Sequence, residues 1–351
     1  MAPEPHVTAG WDVGGVQVKA ARVESRGGAV CGVRTAVRPF EVWRERERLP
    51  QVLRDLAGEL GLDAATPLAL TMTAELSDAF RTKREGVLFV VDAVRDAFPE
   101  NPAAALDCRG AFAGLQEVST RPLDFAATNW IASALLAASR FADGILVDVG
   151  STTTDIVPIC DGRLVCDGRT DLDRLSAGEL VYTGVLRTNP NTLTATVPVR
   201  GRPCRVADER FALMADAYVL LGRLGEDQYT CPTPDGRGTS PDACADRLAR
   251  VVCADREMLS EAEIRSLARY LVECQLRVVS EGLLQVLSRW SGPGDPPLAP
   301  AGAGAFLARE VAVRLGLDVL PEEVIWGAEG FALPAVAVAC LLAAHPEVAR
   351  P

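Results

Sequence analysis

The stretch Gly144-Ile145-Leu146-Val147-Asp148-Val149-Gly150-Ser151-Thr152-Thr153-Thr154-Asp155-Ile156-Val157-Pro158-Ile159-Cys160 decides the fold. Ile145 to Val149 is an apolar run broken only by Asp148, the pattern of a buried strand. Gly150-Ser151-Thr152-Thr153 supplies a turn, and Asp155 to Cys160 returns as a second strand. Glycine lets such a turn approach a phosphate without a Cβ clash, while successive N–H groups and hydroxyls offer donors to its oxygens. Asp148 ends the apolar strand, where a carboxylate can hold magnesium directly or through water. Asp155 can support the same turn through metal or hydrogen bonds, or simply cap it.

The pattern has a counterpart near the start. Gly10 to Glu24 reads as a hairpin around Gly14-Gly15, with Trp11, Val13, Val16, Val18, Ala20 and Val23 as its apolar positions. Asp12-Val13-Gly14-Gly15 corresponds to Asp148-Val149-Gly150-Ser151, an approximate internal repeat that favours duplicated lobes over one continuous sheet. One such turn alone would ordinarily be just a hairpin. Two at equivalent positions point to phosphate, with Asp12 as the second metal-organising carboxylate.

Working outward, a strand is expected over Val30–Pro39, a helix over Leu49–Leu60 and a strand over Pro67–Met72, followed by helices over Glu85–Phe98 and Asp124–Arg140. Leu164–Asp167 is expected to add a third strand to the second hairpin. The Pro/Gly-rich Ser291–Gly304 segment marks a boundary, Ala305–Gly316 reads as a helix, and Val319–Ile325 contains a short strand. The expected organisation is a first lobe over 1–141, joined by a C-terminal helix over 331–347, and a second lobe over 142–330 with an insertion around 225–260. Pro and Gly content places Cys231–Cys253 at the surface.

Composition narrows the function. The net charge of −11 argues against a broad footprint on nucleic acid or anionic membrane, leaving small molecules or proteins as partners. Any phosphate must then be held locally, by backbone N–H groups, a metal ion or a few basic side chains. Ten dispersed cysteines without a Cys-x-x-Cys pair read as reduced core residues, and two histidines give zinc little to bind. Magnesium needs only oxygen ligands. The apolar run Phe331–Ala344 contains Pro334 and is too short to span a bilayer. The polar Met1–Thr8 opening lacks a leader pattern, so a cytoplasmic address is expected.

The two hairpins resemble the phosphate motifs of the acetate and sugar kinase, heat-shock chaperone and actin superfamily, with Gly10–Val23 as the first and Gly144–Ile159 as the second. This implies an actin-like, ribonuclease H-like two-lobed α/β fold with a duplicated core and an interlobe cleft. Gly302-Ala303-Gly304 is similar to the later nucleotide-side glycine turn, though weakly, so ATP use does not follow automatically. Within that superfamily the chain resembles hydantoinase/oxoprolinase-related proteins associated with tetrahydromethanopterin-linked one-carbon metabolism. That resemblance spans nearly the whole chain. It rests on the first hairpin, Thr71-Met72-Thr73-Ala74-Glu75-Leu76-Ser77-Asp78, Thr82-Lys83-Arg84-Glu85-Gly86-Val87, Ala127-Thr128-Asn129-Trp130 and the second turn.

The resemblance implies an alkyl transferase of methanofuran-type cofactor assembly. It would join an aminomethylfuran-methyl diphosphate to the phenol of γ-glutamyltyramine or a related tyramine, releasing pyrophosphate with magnesium and without required ATP. An ATP-dependent small-molecule kinase or ligase and a non-catalytic nucleotide-binding assembly protein are the alternatives, and a homo-oligomer stays open. In this reading Gly14, Gly15, Lys19, Lys83, Gly150, Ser151, Thr152 and Thr153 bind phosphate, and Glu75 and Asp78 serve as base or ammonium partner. Spacing alone would equally let Glu75, Asp78 and Lys83 cap or solvate the following helix. Asn129 and Trp130 would orient the furan or phenol, or Trp130 would simply be core. Arg169-Thr170-Asp171, Ser176–Glu179, Tyr182, Arg187 and Asn189 are further substrate candidates or turn and cap residues.

Overall fold

Every residue from Thr8 to Val13 of strand β1 (His6–Val13) is buried, because the strand is central in its sheet and covered on both faces. This is a computed structural model describing residues 5–321 and 333–345. The chain divides into two units. One comprises the residues up to Gly144, Ile159–Asp173 and the described part of Pro321–Pro351, and the other Ile145–Pro158 and Arg174–Leu320.

In the first unit β1 is joined by β2 (Gln17–Arg26), β3 (Ala29–Pro39), β4 (Leu68–Met72), β5 (Ala103–Leu106) and β6 (Phe112–Gly114), in the order β3-β2-β1-β4-β5-β6. β1 runs antiparallel to β2 and parallel to β4, which places Asp12 opposite Thr71. After the short helix α1 (Val42–Glu45), α2 (Leu49–Leu60) buries Leu49, Val52, Leu53, Leu56 and Leu60 on one stripe. Gly61, at φ +65°, ends it. Helix α3 (Lys83–Ala97) is capped by Thr82, whose hydroxyl accepts from the Glu85 N–H. The one-turn α4 (Leu115–Val118) and α5 (Asn129–Ala138) follow.

The second unit carries β7 (Gly144–Val149), β8 (Thr154–Cys160), β10 (Leu180–Val181) and β13 (Leu298–Ala301), in the order β10-β8-β7-β13, while β11 (Thr196–Val199) and β12 (Arg202–Arg205) form a separate ribbon. β7 and β13 are parallel, with Asp148 opposite Ala301. Helices α7 (Met214–Leu220), α8 (Pro241–Arg250), α9 (Glu261–Leu287) and α10 (Ala305–Leu315) share one core with these strands, centred on residues such as Tyr218, Leu248, Leu271 and Leu307.

Residues 159–173 pack with the first unit. Cys160 and Ile159 pair with β9 (Arg163–Leu164), and Lys83 meets Asp171 at the start of α6 (Asp171–Ala177). Helix α11 (Leu333–Ala344) lies against β1 so closely that a Cβ on Gly10 would strike the Ala335 carbonyl. The Thr8 hydroxyl donates to the Ala339 carbonyl at 3.1 Å.

Several expected elements take different bounds. The helix expected over Asp124–Arg140 begins only at Asn129: Pro122–Phe125 forms a separate 3-10 turn, and Ala127, at φ +52°, interrupts the backbone. The strand expected over Leu164–Asp167 is only the two-residue β9. Cys231–Cys253 is not a purely surface segment, because α8 buries Cys244, Ala245, Arg247, Leu248 and Ala249. Of the strand expected over Val319–Ile325, Val319 bridges Leu298, while residues 322–325 lie outside the described residues. Residues 331, 332, 346 and 347 of the expected C-terminal helix also lie outside them. All ten cysteines are free, and among the described residues no helix is long and apolar enough to cross a membrane.

Candidate functional site

The first glycine turn is closed by the Gly14 N–H donating to the Gln17 carbonyl at 3.0 Å. A Cβ on Gly14 would crowd that carbonyl at 2.9 Å, whereas one on Gly15 would meet nothing within 4 Å. Gly15 therefore borders open space, as an approach site for a ligand oxygen requires. Asp12 is buried behind the turn. Its Oδ2 accepts from Lys19 Nζ at 3.1 Å, and its Oδ1 has no hydrogen-bond partner. An orphaned carboxylate oxygen beside an open glycine fits a magnesium ion whose remaining ligands are water and phosphate. Among the described residues no group of three or more His, Cys, Asp or Glu forms a protein-only metal cage.

The register Asp12↔Thr71 carries the chain from β4 past this turn, and the Thr73 N–H donates to the Val13 carbonyl at 2.9 Å. Two residues on stands Glu75, only 2% exposed, with neither carboxyl oxygen hydrogen-bonded. Burial is the main cause pushing its pKa up from 4.5 to about 7, and Asp171 adds to it, while Lys83 and nearby backbone N–H groups, including that of Ala127, oppose it. Lys83 Nζ lies 2.5 Å from Asp171 Oδ2. Since Thr82 caps α3, none of Glu75, Asp78 and Lys83 is the cap that spacing alone allowed. Asp78 is exposed.

The second turn repeats the first: the Gly150 N–H donates to the Thr153 carbonyl at 2.8 Å. Asp148 is half-buried, and a Cβ on Gly302, which sits at φ +79°, would strike Asp148 Oδ1 and approach the Val149 carbonyl to 2.5 Å. Gly304 donates its N–H to the Val149 carbonyl at 2.8 Å. The Gly302-Ala303-Gly304 turn is thus packed directly on the strand that carries Asp148. The duplicated topology makes Met72-Thr73-Ala74 its counterpart in the first unit, with Glu75 at the position of Ala305, because Thr71 and Ala301 hold the equivalent register positions.

Asp155 is differently placed from Asp12. Its Oδ1 accepts from Arg174 Nη1 at 2.9 Å, and Arg174, 1% exposed, also donates to the Glu179 carbonyl at 2.9 Å. Asn129 opens α5 half-buried, with Thr128 fixed by a 2.9 Å contact between its hydroxyl and that of Thr71. Trp130 is 5% exposed, as a core residue would be. Ser151 and Thr152 side chains lie 3.4 Å apart, and Thr153 is half-buried. Tyr182 is exposed, and Asn189 caps a 3-10 turn through the Asn191 N–H.

A solved structure of acetone carboxylase in its nucleotide-free state has a TM-score of 0.63 at 10% identity, over 95% of this chain and 70% of that one. The likeness shows the fold alone, the duplicated actin-like α/β fold. A (4-{4-[2-(γ-L-glutamylamino)ethyl]phenoxymethyl}furan-2-yl)methanamine synthase of Methanocaldococcus jannaschii is 37% identical over 283 residues, 80% of this chain and 82% of that protein. A synthase of the same name from Methanococcus vannielii is 34% identical over 146 residues, 42% of this chain and 65% of that protein. Residues 68–345, which carry Glu75, Lys83, Asn129 and the whole second turn, match the hydantoinase/oxoprolinase family, and the chain belongs to it.

Proposed function

We propose that this protein is a synthase of methanofuran-type cofactor assembly, joining an aminomethylfuran-methyl diphosphate to the phenol of γ-glutamyltyramine. The observation that carries this reading is the 37% identity over 80% of the chain to a synthase named for that aryl ether product. The phenol oxygen attacks the furfuryl CH2 carbon, the carbon–oxygen bond to diphosphate breaks, and pyrophosphate leaves with the electron pair. Glu75 takes the phenol proton. A carboxylate whose pKa is near 7 is part-ionised at neutral pH and basic enough to hold that proton.

The Gly15 turn, with Lys19 behind it, donates to diphosphate oxygens, and Lys83 exchanges its Asp171 partner for negative charge on the substrate. Asp12 would hold magnesium, which when bound supplies charge neutralisation to the leaving group. Asp155 stays outside the metal set in this mechanism, because Arg174 already holds it. The test is mass spectrometry of protein incubated with magnesium, the furan diphosphate and γ-glutamyltyramine, with and without ATP. Ether and pyrophosphate formed in equal amounts without ATP are expected. ATP-dependent phosphorylation of a small molecule with no ether would replace this reading by a kinase.

A further inference from the structure

The carbonyls of the second turn are held from behind. Gly150 O accepts from the Val185 N–H at 2.9 Å, and Ser151 O accepts from the N–H groups of Leu186 and Arg187 at 3.1 and 2.9 Å. A trans peptide is planar, so its N–H points away from its C=O. The N–H groups of Ser151 and Thr152 therefore face away from residues 185–187, and no acceptor among the described residues takes them. Two adjacent free N–H groups on a glycine turn form a concavity suited to an anion.

The holding segment is itself fixed by a buried polar network. Gln275, 0% exposed in the middle of α9, donates through Nε2 to Thr183 Oγ1 at 2.8 Å and to the Gly184 carbonyl at 2.9 Å. Tyr218 donates to Gln275 Oε1 at 2.7 Å, which orients the amide. Thr188 accepts from the Gly184 N–H at 2.8 Å and contacts the Thr183 hydroxyl at 3.0 Å. Thr154, first residue of the return strand, donates to the Thr183 carbonyl at 2.7 Å. Gly184 is pressed onto the turn, where a Cβ would come within 2.5 Å of Thr152 N and 2.6 Å of Gly150 O.

The network is buried, and an apolar side chain at position 275 would fill the same volume without ordering the loop. We infer that Gln275, oriented by Tyr218, is a positioning residue that presets the N–H groups of Ser151 and Thr152 for a diphosphate. This deepens the function proposed above and rests on it for the identity of the ligand. The route runs from Gln275 through Thr183 and Gly184 to Val185–Arg187, and from there to the turn carbonyls.

Gln275→Leu and Tyr218→Phe test it in the full chain, with pyrophosphate binding measured by calorimetry in the presence of magnesium. Loss of the preset orientation predicts pyrophosphate binding weakened about tenfold in Gln275→Leu and about threefold in Tyr218→Phe. The KM for the furan diphosphate should rise in step, while the KM for the phenol stays at the parent value. Tyr218→Phe, which removes one oxygen, keeps the test open if Gln275→Leu fails to fold. Unchanged pyrophosphate affinity in a folded variant, or an equal rise in both KM values, overturns the inference. If the parent makes no ether but binds ATP, and the variants weaken ATP by the same factors, the positioning role stands and only the substrate reading falls. A parent protein that binds neither pyrophosphate nor ATP overturns the anion site itself.

Discussion

Gly86 in the first turn of α3 packs onto the backbone of Glu75: a Cβ there would lie 2.5 Å from Glu75 Cα and 2.8 Å from its carbonyl oxygen. Alanine in place of helical glycine ordinarily gains about 1 kcal/mol. Here the overlap is with main chain, which cannot rotate aside, so Gly86→Ala should lose about 2 kcal/mol instead. Denaturant titration gives the sign. A stabilised variant would show that α3 shifts freely and does not fix Glu75.

The raised pKa of Glu75 ties stability to pH with a definite sign. Between 4.5 and about 7 the folded protein keeps a proton that the unfolded chain has released, so this contribution is fully present below 4.5 and lost above 7. The loss is roughly 3 kcal/mol from this group alone. Glu75→Gln should therefore gain stability relative to the parent as pH rises from 5 to 8, while ether formation falls by about a hundredfold or more. Parallel melting curves at pH 5, 6.5 and 8 check the first part. A stability difference independent of pH would mean that Glu75 titrates normally.

Parent activity should itself rise with pH through about 7, the direction required of a base. A rate profile measured at saturating substrate, flat between pH 6 and 8, would exclude Glu75 from proton transfer.

Gly15 separates binding from folding, since space beside its Cα is open and its φ is not left-handed. Gly15→Val should melt within a few degrees of the parent yet lose most pyrophosphate binding, because its methyl groups occupy the space a phosphate oxygen would take. Retained affinity would move the ligand away from this turn.

Arg247 is 0% exposed and reaches Asp216 at 2.8 Å and Asp235 at 3.0 Å. Removing one member of such a pair leaves a buried charge uncompensated, so Arg247→Leu should cost about 3–5 kcal/mol. Thermal unfolding unchanged by this substitution would return residues 231–253 to the surface role that their composition suggested.

What the sequence made legible was the chemistry that needs specific residues in a short span. The two Asp-Val-Gly turns and helix α2 fall where glycine and periodicity place them, because each satisfies its own hydrogen bonds locally, and strand β4 is marked by the unbroken apolar run of a fully buried strand. Helix α9 went unforeseen although Ser260 and Glu263 form a capping box at its start, a signal within reach of the same reading. Ala127 broke the expected Asp124–Arg140 helix with a left-handed conformation that no alanine advertises. Gln275 was invisible for a different reason. Its importance comes from partners 92 and 57 residues away, Thr183 and Tyr218, and no local pattern marks a glutamine that has found them. Arg174, nineteen residues on, gives Asp155 Oδ1 a partner that the turn pattern alone does not disclose.

The contact between Gly10 and Ala335 sets an order on biosynthesis. Strand β1 leaves the ribosome more than three hundred residues before the helix that covers its Thr8 and Gly10, the Thr8–Ala339 bond alone spanning 331 positions. Until then the nascent chain presents an uncovered apolar sheet face, a target for chaperones and for pairing with other unfinished chains. The second unit, whose described core is drawn from a shorter stretch of chain, can complete itself while the first is still waiting for its lid.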